Sequence, residues 1–174
     1  MEEEAISLII NEIAIPLPPP PAPFPNQDPN FEKQVLSNAI IDSLDSIKLK
    51  IALHPELIKF DYPIQPEDHY PQDYIKLIKG ISISNAKNIS NVDLKNRTKH
   101  EIKLESWESI EDLENFNVLV KISNVIWSKD NSRAAAIAIR RLGKFDGTTY
   151  LFLFKRDSIQ NETKIYKKYV LLKS

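Results

Sequence analysis

The sequence contains no cysteine, which excludes disulfide bonds, thiol nucleophiles and zinc–thiolate sites. Only three glycines occur in 174 residues, and no glycine-rich phosphate-binding motif is present. Neither charge sign dominates, since 23 Lys and Arg oppose 24 Asp and Glu to leave a net charge of −1. Such a chain has no global field that attracts nucleic acid or an anionic membrane. We therefore expect no nucleic-acid partner, no cofactor and no bound metal.

Long apolar runs are also missing. No stretch approaches the ~20 residues that a membrane-spanning helix needs, and no basic region with an apolar segment precedes the first predicted helix. We therefore expect no membrane span. The start in Met-Glu-Glu-Glu also suits a chain from which an export signal was cut and replaced by a new Met1. If a signal was removed, the predicted location is the periplasm or cell envelope, where the chain could carry a lipid anchor. If no signal was removed, the predicted location is the cytoplasm.

The composition is that of an ordinary globular protein, with 42% hydrophobic and 27% charged residues. A chain of this length buries roughly 70% of its unfolded surface, so it folds without disulfides or metals. We predict one α+β domain over residues 1–174, in which N-terminal helices pack on an antiparallel sheet that ends in a four-stranded C-terminal meander. Its parts are an N-terminal helix with a proline-rich strap (1–25), a mixed region of helix, strand and loops (26–117) and the β-meander (118–174).

Two N-terminal helices are predicted from apolar residues at helical spacing. The first covers residues 2–14, where three glutamates occupy the positive end of the helix dipole. Seven prolines between residues 16 and 25 then end it, because proline removes backbone donors and favours an extended path. We expect this run to be a stiff strap or spacer; the alternative is a ligand for a proline-recognising groove. The second helix, about 29–45, begins at Asp28 followed by Pro29.

The region between these helices and the meander is less regular. Apolar and polar side chains alternate over residues 46–53, which predicts a half-buried strand that ends at His54 and Pro55. Four further elements are expected before the meander: a long surface loop (55–71), a short helix near 72–79 that Gly80 stops, a brief strand at 102–104 and a short helix capped by Ser106.

The clearest pattern is period-two alternation between residues 118 and 173. In the first strand, 118–127, alternation places Val125 and Trp127 on the face opposite Val118. The second strand carries three alanines on one face, which favours close packing of a helix there. Because the strands are apolar on both sides, we expect both faces of the sheet to be covered at least in part. The predicted connections are a turn at 129–132, a turn at 145–147 and a looser loop at 159–162.

One cluster in the long loop has the residue types of an acid–base or metal site. His69 lies between Asp68 and Asp73, and functional groups often occur on loops. Pro71 interrupts the cluster, however, and its spacing matches no recognised ligand set. A solvated loop is the favoured interpretation.

The concentrated basic patch is at the end of the second meander strand. Arg140, Arg141 and Lys144 could bind an acidic partner or a phosphate. The alternative, which we favour, is that these charges solubilise a strand end and discourage edge pairing. The aromatic side chains of the third strand, Tyr150, Phe152 and Phe154, are better explained as core than as a nucleic-acid platform, since the sheet needs that face for burial.

Four segments carry a resemblance to known proteins: Ile122 to Asp130, Arg133 to Ile139, Gly143 to Gly147, and Tyr150 to Lys155. In this order they resemble a domain of uncharacterised bacterial proteins, many of them exported or lipid-anchored, with a Ser-Asp strand, an Ala-rich strand, a Gly-containing turn and an aromatic strand. Those relatives often have a Cys- and Gly-rich turn where this chain has Arg141 to Gly147. The resemblance implies a bacterial origin and an envelope location, but no activity.

The leading functional hypothesis is a non-enzymatic protein-binding module, such as an envelope scaffold or a toxin-neutralising protein. The sequence predicts a packed sheet and a long polar loop, and it presents no convergent set of reactive groups. The alternative is a small hydrolase that uses His69 with Asp68 or Asp73. The sequence leaves the identity of the partner and the oligomeric state open.

Overall fold

The computed structural model describes residues 1–16, 46–60, 69–89, 94, 97–106, 115–143, 146–157 and 159–173. These residues form two helices and nine strands, and the α+β class is confirmed. In chain order the elements are α1 (Glu2–Ile13), β1 (Lys50–Leu53), β2 (Glu56–Leu57), α2 (Gln72–Ile83), β3 (Lys87–Asn88), β4 (Glu101–Leu104), β5 (Val118–Ile122), β6 (Ile126–Trp127), β7 (Arg133–Gly143), β8 (Asp146–Asp157) and β9 (Glu162–Lys173).

The larger sheet is mixed, which corrects the prediction of an antiparallel sheet. Six of its seven strands follow the order β4-β1-β5-β7-β8-β9, and β6 pairs with β7. β1 runs parallel to both β4 and β5, whereas β5, β7, β8 and β9 pair antiparallel in succession. The long segments between β1, β4 and β5 give the chain room for the crossovers that parallel pairing requires. β2 and β3 form a separate two-stranded antiparallel sheet.

The position of β1 between two parallel neighbours changes its burial. Ile51, Ala52 and Leu53 are all fully buried, so the predicted half-buried strand is wrong in this respect. A strand inside a sheet that is covered on both faces needs apolar residues in succession rather than in alternation. The alternating pattern in the sequence comes from Lys48, which precedes β1, and Lys50, its first residue, and both are exposed.

The two described helices lie on opposite faces of the sheet, as the apolar character of both strand faces predicted. Five α1 residues and the three alanines of one β7 face belong to one apolar cluster: Ala5, Ile6, Ile9, Ile10, Ile13, Ala134, Ala136 and Ala138. α2 and the opposite strand faces form a second cluster, which includes Tyr74, Leu77, Ile78, Ile81, Ala135, Ile137, Leu151 and Leu153. The sheet is therefore a middle layer between α1 and α2.

α2 passes through Gly80 instead of ending there, which corrects the prediction of a helix near 72–79. A Cβ atom at Gly80 would lie 3.0 Å from Cγ2 of Ile126. The glycine therefore lets α2 approach β6 closely, and the helix continues to Ile83. Ser84 follows, with its backbone N–H bonded to the carbonyl of Gly80.

The predicted strand 118–127 is interrupted between β5 and β6. At the interruption, the hydroxyl of Ser123 donates to the carbonyl of Asn124 (3.0 Å) and accepts from the N–H of Ile137 (2.8 Å). The break shifts the alternation by one residue. Val125 and Trp127 consequently pack in the α1 cluster with Val118, so the prediction that they lie on the opposite face is wrong.

The turns of the meander are partly as predicted. Asn131 has a φ of 56°, in the left-handed region that Asn tolerates, and lies in the predicted turn 129–132. The prediction of a turn at 145–147 is wrong for Asp146 and Gly147, which belong to β8 and pair with Gly143 and Arg141, respectively.

Several predictions concern residues outside the described ranges: the proline run beyond Pro16, the helix at 29–45 and most of the helix expected after Ser106. Among the described residues, neither helix is long and apolar enough to cross a membrane.

The hydroxyl of Ser123 offers a direct test of the β5–β6 interruption. Ser123→Ala should lower the free energy of unfolding by about 1–3 kcal/mol, because the buried N–H of Ile137 loses its acceptor. Ser7→Ala is the matched control, since Ser7 is also buried but its hydroxyl bonds only to the Glu3 carbonyl of its own helix. We expect the control to change stability by less than about 0.5 kcal/mol in urea denaturation. Equal losses in the two variants would contradict the role assigned to Ser123.

The turn before β7 predicts a pH dependence. Hydrogen bonds from the hydroxyls of Ser128 and Ser132 and from the backbone N–H of Ser132 lower the pKa of Asp130 to about 2 from 3.8. Since the folded state holds the proton more weakly than the unfolded chain, this stabilisation is present above pH ~4 and is lost as the pH falls toward ~2. The stability difference between wild type and Asp130→Asn should therefore shrink over that interval.

Denaturation of both proteins at pH 6 and near pH 2.5 measures this difference. The double variant Ser128→Ala/Ser132→Ala lacks both hydroxyl donors, so its own loss of stability on acidification should be smaller than that of the wild type. A wild-type to Asp130→Asn difference that stays constant with pH would refute the assignment.

Candidate partner-binding surface

The predicted His–Asp cluster is not assembled in the described part of the chain. His69 is exposed, and no hydrogen bond or ion pair between described atoms joins it to Asp73. Asp73 is also exposed and pairs with Arg133, with 3.2 Å between Oδ2 and Nη2. Asp68 lies outside the described ranges. No group of three or more His, Asp or Glu side chains in these ranges is placed to hold a metal ion.

Two residues of the predicted basic patch, Arg140 and Arg141, lie in the described ranges. Arg140 is mostly buried and turns toward the end of α1, where Nη1 lies 3.4 Å from the carbonyl oxygen of Ile13. Its guanidinium also lies 3.8 Å from Asp146 and 5.7 Å from the ring centre of Tyr150. A cation at a helix C-terminus is favourably placed in the helix dipole. Arg141 is half-buried, and Lys144 lies outside the described ranges.

One contact of catalytic residue types was missed by sequence reasoning, because its members are far apart in the chain. Nε2 of His54, just after β1, lies 3.4 Å from Oγ of Ser106, just after β4. The carboxyl ends of parallel strands are a common location for active sites. Nδ1 of His54 lies 3.2 Å from both the backbone nitrogen and the carbonyl oxygen of Glu56, so it can accept from the N–H or donate to the carbonyl. In the first case Nε2 carries the proton and donates to Ser106; in the second, Nε2 accepts from the Ser106 hydroxyl, as a general base would. The separation of 3.4 Å is long for a hydrogen bond with a hydroxyl.

A cleft between the N-terminal segment and the sheet has a volume of about 230 Å³, smaller than the usual ligand pocket. Its described lining residues are Ile15, Pro16, Leu49, Asn117, Val118 and Leu142, none of which is titratable.

The feature that stands out is β9. It has 12 residues and forms one edge of the sheet, with β8 as its partner on the inner side. No described strand pairs with its outer side. Three of its large apolar side chains are exposed: Tyr166 by 40%, Val170 by 59% and Leu172 by 46%. Natural proteins usually keep edge strands short or cover them, because unpaired N–H and C=O groups attract other strands.

Polar contacts with α1 hold the first half of β9 in place. The carboxylate of Glu4 accepts hydrogen bonds from the N–H and the hydroxyl of Thr163, both at 2.8 Å. Burial raises the pKa of Glu4, but the two bonds from Thr163 more than offset this and leave that pKa below its usual value. Further along the same strand, Lys168 pairs with Glu12 at 2.5 Å. α1 therefore holds β9 from one face, while no described strand pairs with its outer side.

A bulge aims Tyr166 at the other face. Leu153 pairs with Lys167 and Phe154 with Ile165, which leaves Tyr166 as the extra residue. The ring of Tyr166 stacks on that of Tyr74, with 5.8 Å between ring centres and 11° between planes. Nζ of Lys155 lies 3.9 Å from the centre of the Tyr166 ring, which is a cation–π contact.

The aromatic rings continue along the strand toward α2. Tyr169 meets Tyr70 edge to face, with 5.2 Å between ring centres. Burial raises the pKa of Tyr70 and raises that of Tyr74 to about 12, and the Tyr74 hydroxyl donates to the carbonyl of Phe154 at 2.9 Å. Tyr70 and Tyr74 are therefore neutral throughout the physiological range. We call Tyr70, Lys155, Tyr166, Lys167 and Tyr169 the tyrosine–lysine surface.

This surface carries positive charge. Lys155 and Lys167 both lie within 6 Å of the Tyr166 ring, at 3.9 and 5.7 Å from its centre. Neither forms an ion pair with a described carboxylate, whereas nearby Arg133 is paired with Asp73. Tyrosine is enriched in the cores of protein interfaces, and a rim of charge adds specificity.

The sequence contained a partial signal for this surface. The last strand was predicted near 165–172, and its tyrosines and lysines are visible there. Its position at the edge was not visible, since strand order depends on long-range pairing. The bulge at Tyr166 also has no signal in the alternation.

Comparison with known proteins adds no relatives, because no family model, no curated protein and no solved structure matches this chain. The resemblance to exported bacterial proteins therefore stays a prediction.

The stack on Tyr166 can be tested by its effect on stability. Tyr166→Ala should lower the free energy of unfolding by about 1–2 kcal/mol, because it removes the ring contacts with Tyr74 and Lys155. Tyr166→Phe keeps both contacts and should stay within about 0.5 kcal/mol of the wild type. Urea denaturation compares the two, and an alanine variant as stable as the phenylalanine variant would show that the ring does not anchor β9.

Proposed function

We propose that this chain is a non-enzymatic protein-binding module that holds its partner along the outer side of β9. The observation that carries the proposal is a 12-residue edge strand whose outer side pairs with no described strand and whose Tyr166, Val170 and Leu172 are exposed. An extended segment can add to such an edge through main-chain hydrogen bonds while side-chain contacts provide selectivity.

The remaining chemistry supports binding over catalysis. In the described residues, no hydrogen bond or ion pair joins His69 to Asp73, and the contact between His54 and Ser106 is long, at 3.4 Å. By contrast, the tyrosine–lysine surface is built from side chains that are typical of interfaces and is supported by α2 from below.

The resemblance to exported bacterial proteins favours the cell envelope as the place of action. An envelope scaffold and a toxin-neutralising protein both act by binding another protein. Either role is compatible with a partner along β9.

Site-specific photo-crosslinking in the native host tests this proposal. A benzophenone amino acid replaces Val170 and, in a control, Ile159, which is 93% exposed in the loop before β9. Because both side chains are exposed, neither replacement should disturb folding. We expect a discrete protein adduct from position 170 and none from position 159. Absence of an adduct at 170, or identical adducts from both positions, would contradict binding along β9.

A further inference from the structure

The regular part of the β9 edge is short. The pairing of β8 with β9 shifts register between Thr149 and Tyr150 and again between Leu153 and Phe154. Between these irregularities, residues 167–170 pair without interruption with residues 153–150. Residues 162–165 form a second uninterrupted run, opposite residues 157–154, but the N–H of Thr163 is already bonded to Glu4. Since a bulge bends a strand and disrupts its ladder, we take residues 167–170 as the regular backbone that an added strand meets.

The lysines around residues 167–170 differ in whether a described carboxylate forms an ion pair with them. Lys168 lies on the α1 side and is bound to Glu12, and Lys164 is bound to Glu162 at 3.0 Å. On the α2 side, Lys155 and Lys167 contact the Tyr166 ring and form no ion pair with a described carboxylate. An incoming segment that presents carboxylates to the α2 side would supply the missing counter-charges.

The same lysines disfavour a second copy of this chain as the occupant. Antiparallel pairing of two β9 runs would bring Lys167 and Lys168 of both copies into one four-residue stretch, where like charges repel. Lysine on an edge strand is a known defence against such pairing. Repulsion of neutral or basic strands and attraction of acidic ones together give selectivity.

We infer that the partner contributes a short extended segment that pairs with residues 167–170 and presents acidic side chains to Lys155 and Lys167. This inference rests on the proposed function and specifies its partner. The carboxylates lie on one face of the added strand, so they recur at every second position.

A titration with three peptides tests the inference. The probes are Thr-Glu-Val-Glu-Val-Glu-Thr and the two variants in which Gln or Lys replaces every Glu. Amide chemical shifts of the isotope-labelled full chain are followed at low ionic strength, where exposed charges are least screened. The Glu peptide should shift the amides of residues 167–170 and bind about five- to tenfold more tightly than the Gln peptide, since each exposed ion pair contributes modestly.

Matched charge variants locate the source of the preference. Lys155→Gln/Lys167→Gln should bring the Glu and Gln peptides to nearly equal affinity. Lys76→Gln/Lys129→Gln removes the same charge from exposed positions on α2 and in the turn before β7, and should leave the preference unchanged. Equal loss of preference in both double variants would show a general charge effect and overturn the inference.

The remaining outcomes separate this inference from the proposed function. If the Gln peptide binds as tightly as the Glu peptide, the acidic partner is refuted while strand addition stands. If no peptide shifts the amides of 167–170, the inference fails, and crosslinking at Val170 still decides the proposed function independently. If those amides shift with protein concentration alone, a second copy occupies the edge and the acidic segment is refuted.

Discussion

The pairing of β7 with β8 is the interaction on which the rest of the structure depends. It runs from Arg133 opposite Lys155 to Gly143 opposite Asp146, and both faces of this pair are buried over its centre. α1 packs in the cluster on one face and α2 in the cluster on the other. Three successive alanines, at positions 134–136, place only small side chains on both faces of β7. A helix can therefore pack closely on each side of the sheet. A larger side chain at any of these positions would push a layer outward, because packed interiors leave little free volume.

The two ends of the sheet depend on this centre in different ways. At one end, β5 is joined to β7, and the parallel strands β1 and β4 follow. At the other, β9 has β8 as its described strand neighbour, and side-chain contacts with α1 and α2 add the remaining support. An edge that is held from its two faces and its inner side keeps a fixed shape even though no described strand pairs with its outer side. A preformed edge of this kind lowers the ordering cost of binding.

The parts of the fold that depend on local pattern could be predicted from the sequence. The isoleucines of α1 and the alternation in β7 and β8 identify those elements, and the left-handed turn at Asn131 follows from residue type. Long-range features could not be predicted. The parallel position of β1 depends on two distant strands. Gly80 resembles a helix stop in the sequence, because its closeness to Ile126 is visible only in the fold. The hydroxyl of Ser123 interrupts a strand that the apolar alternation on either side predicts to be continuous. The candidate surface divides in the same way: its tyrosines and lysines are visible in the sequence, but the edge that exposes them is a property of the assembled sheet.

The bonds between Glu4 and Thr163 join residues 159 positions apart and connect the first described element to the last. Until β9 has been synthesised, Glu4 and Glu12 of α1 lack Thr163 and Lys168 as partners. Contacts of such high sequence separation are expected late in folding, since a long loop must close before they form. α1 is therefore synthesised before β9 but secured only after β9 has formed.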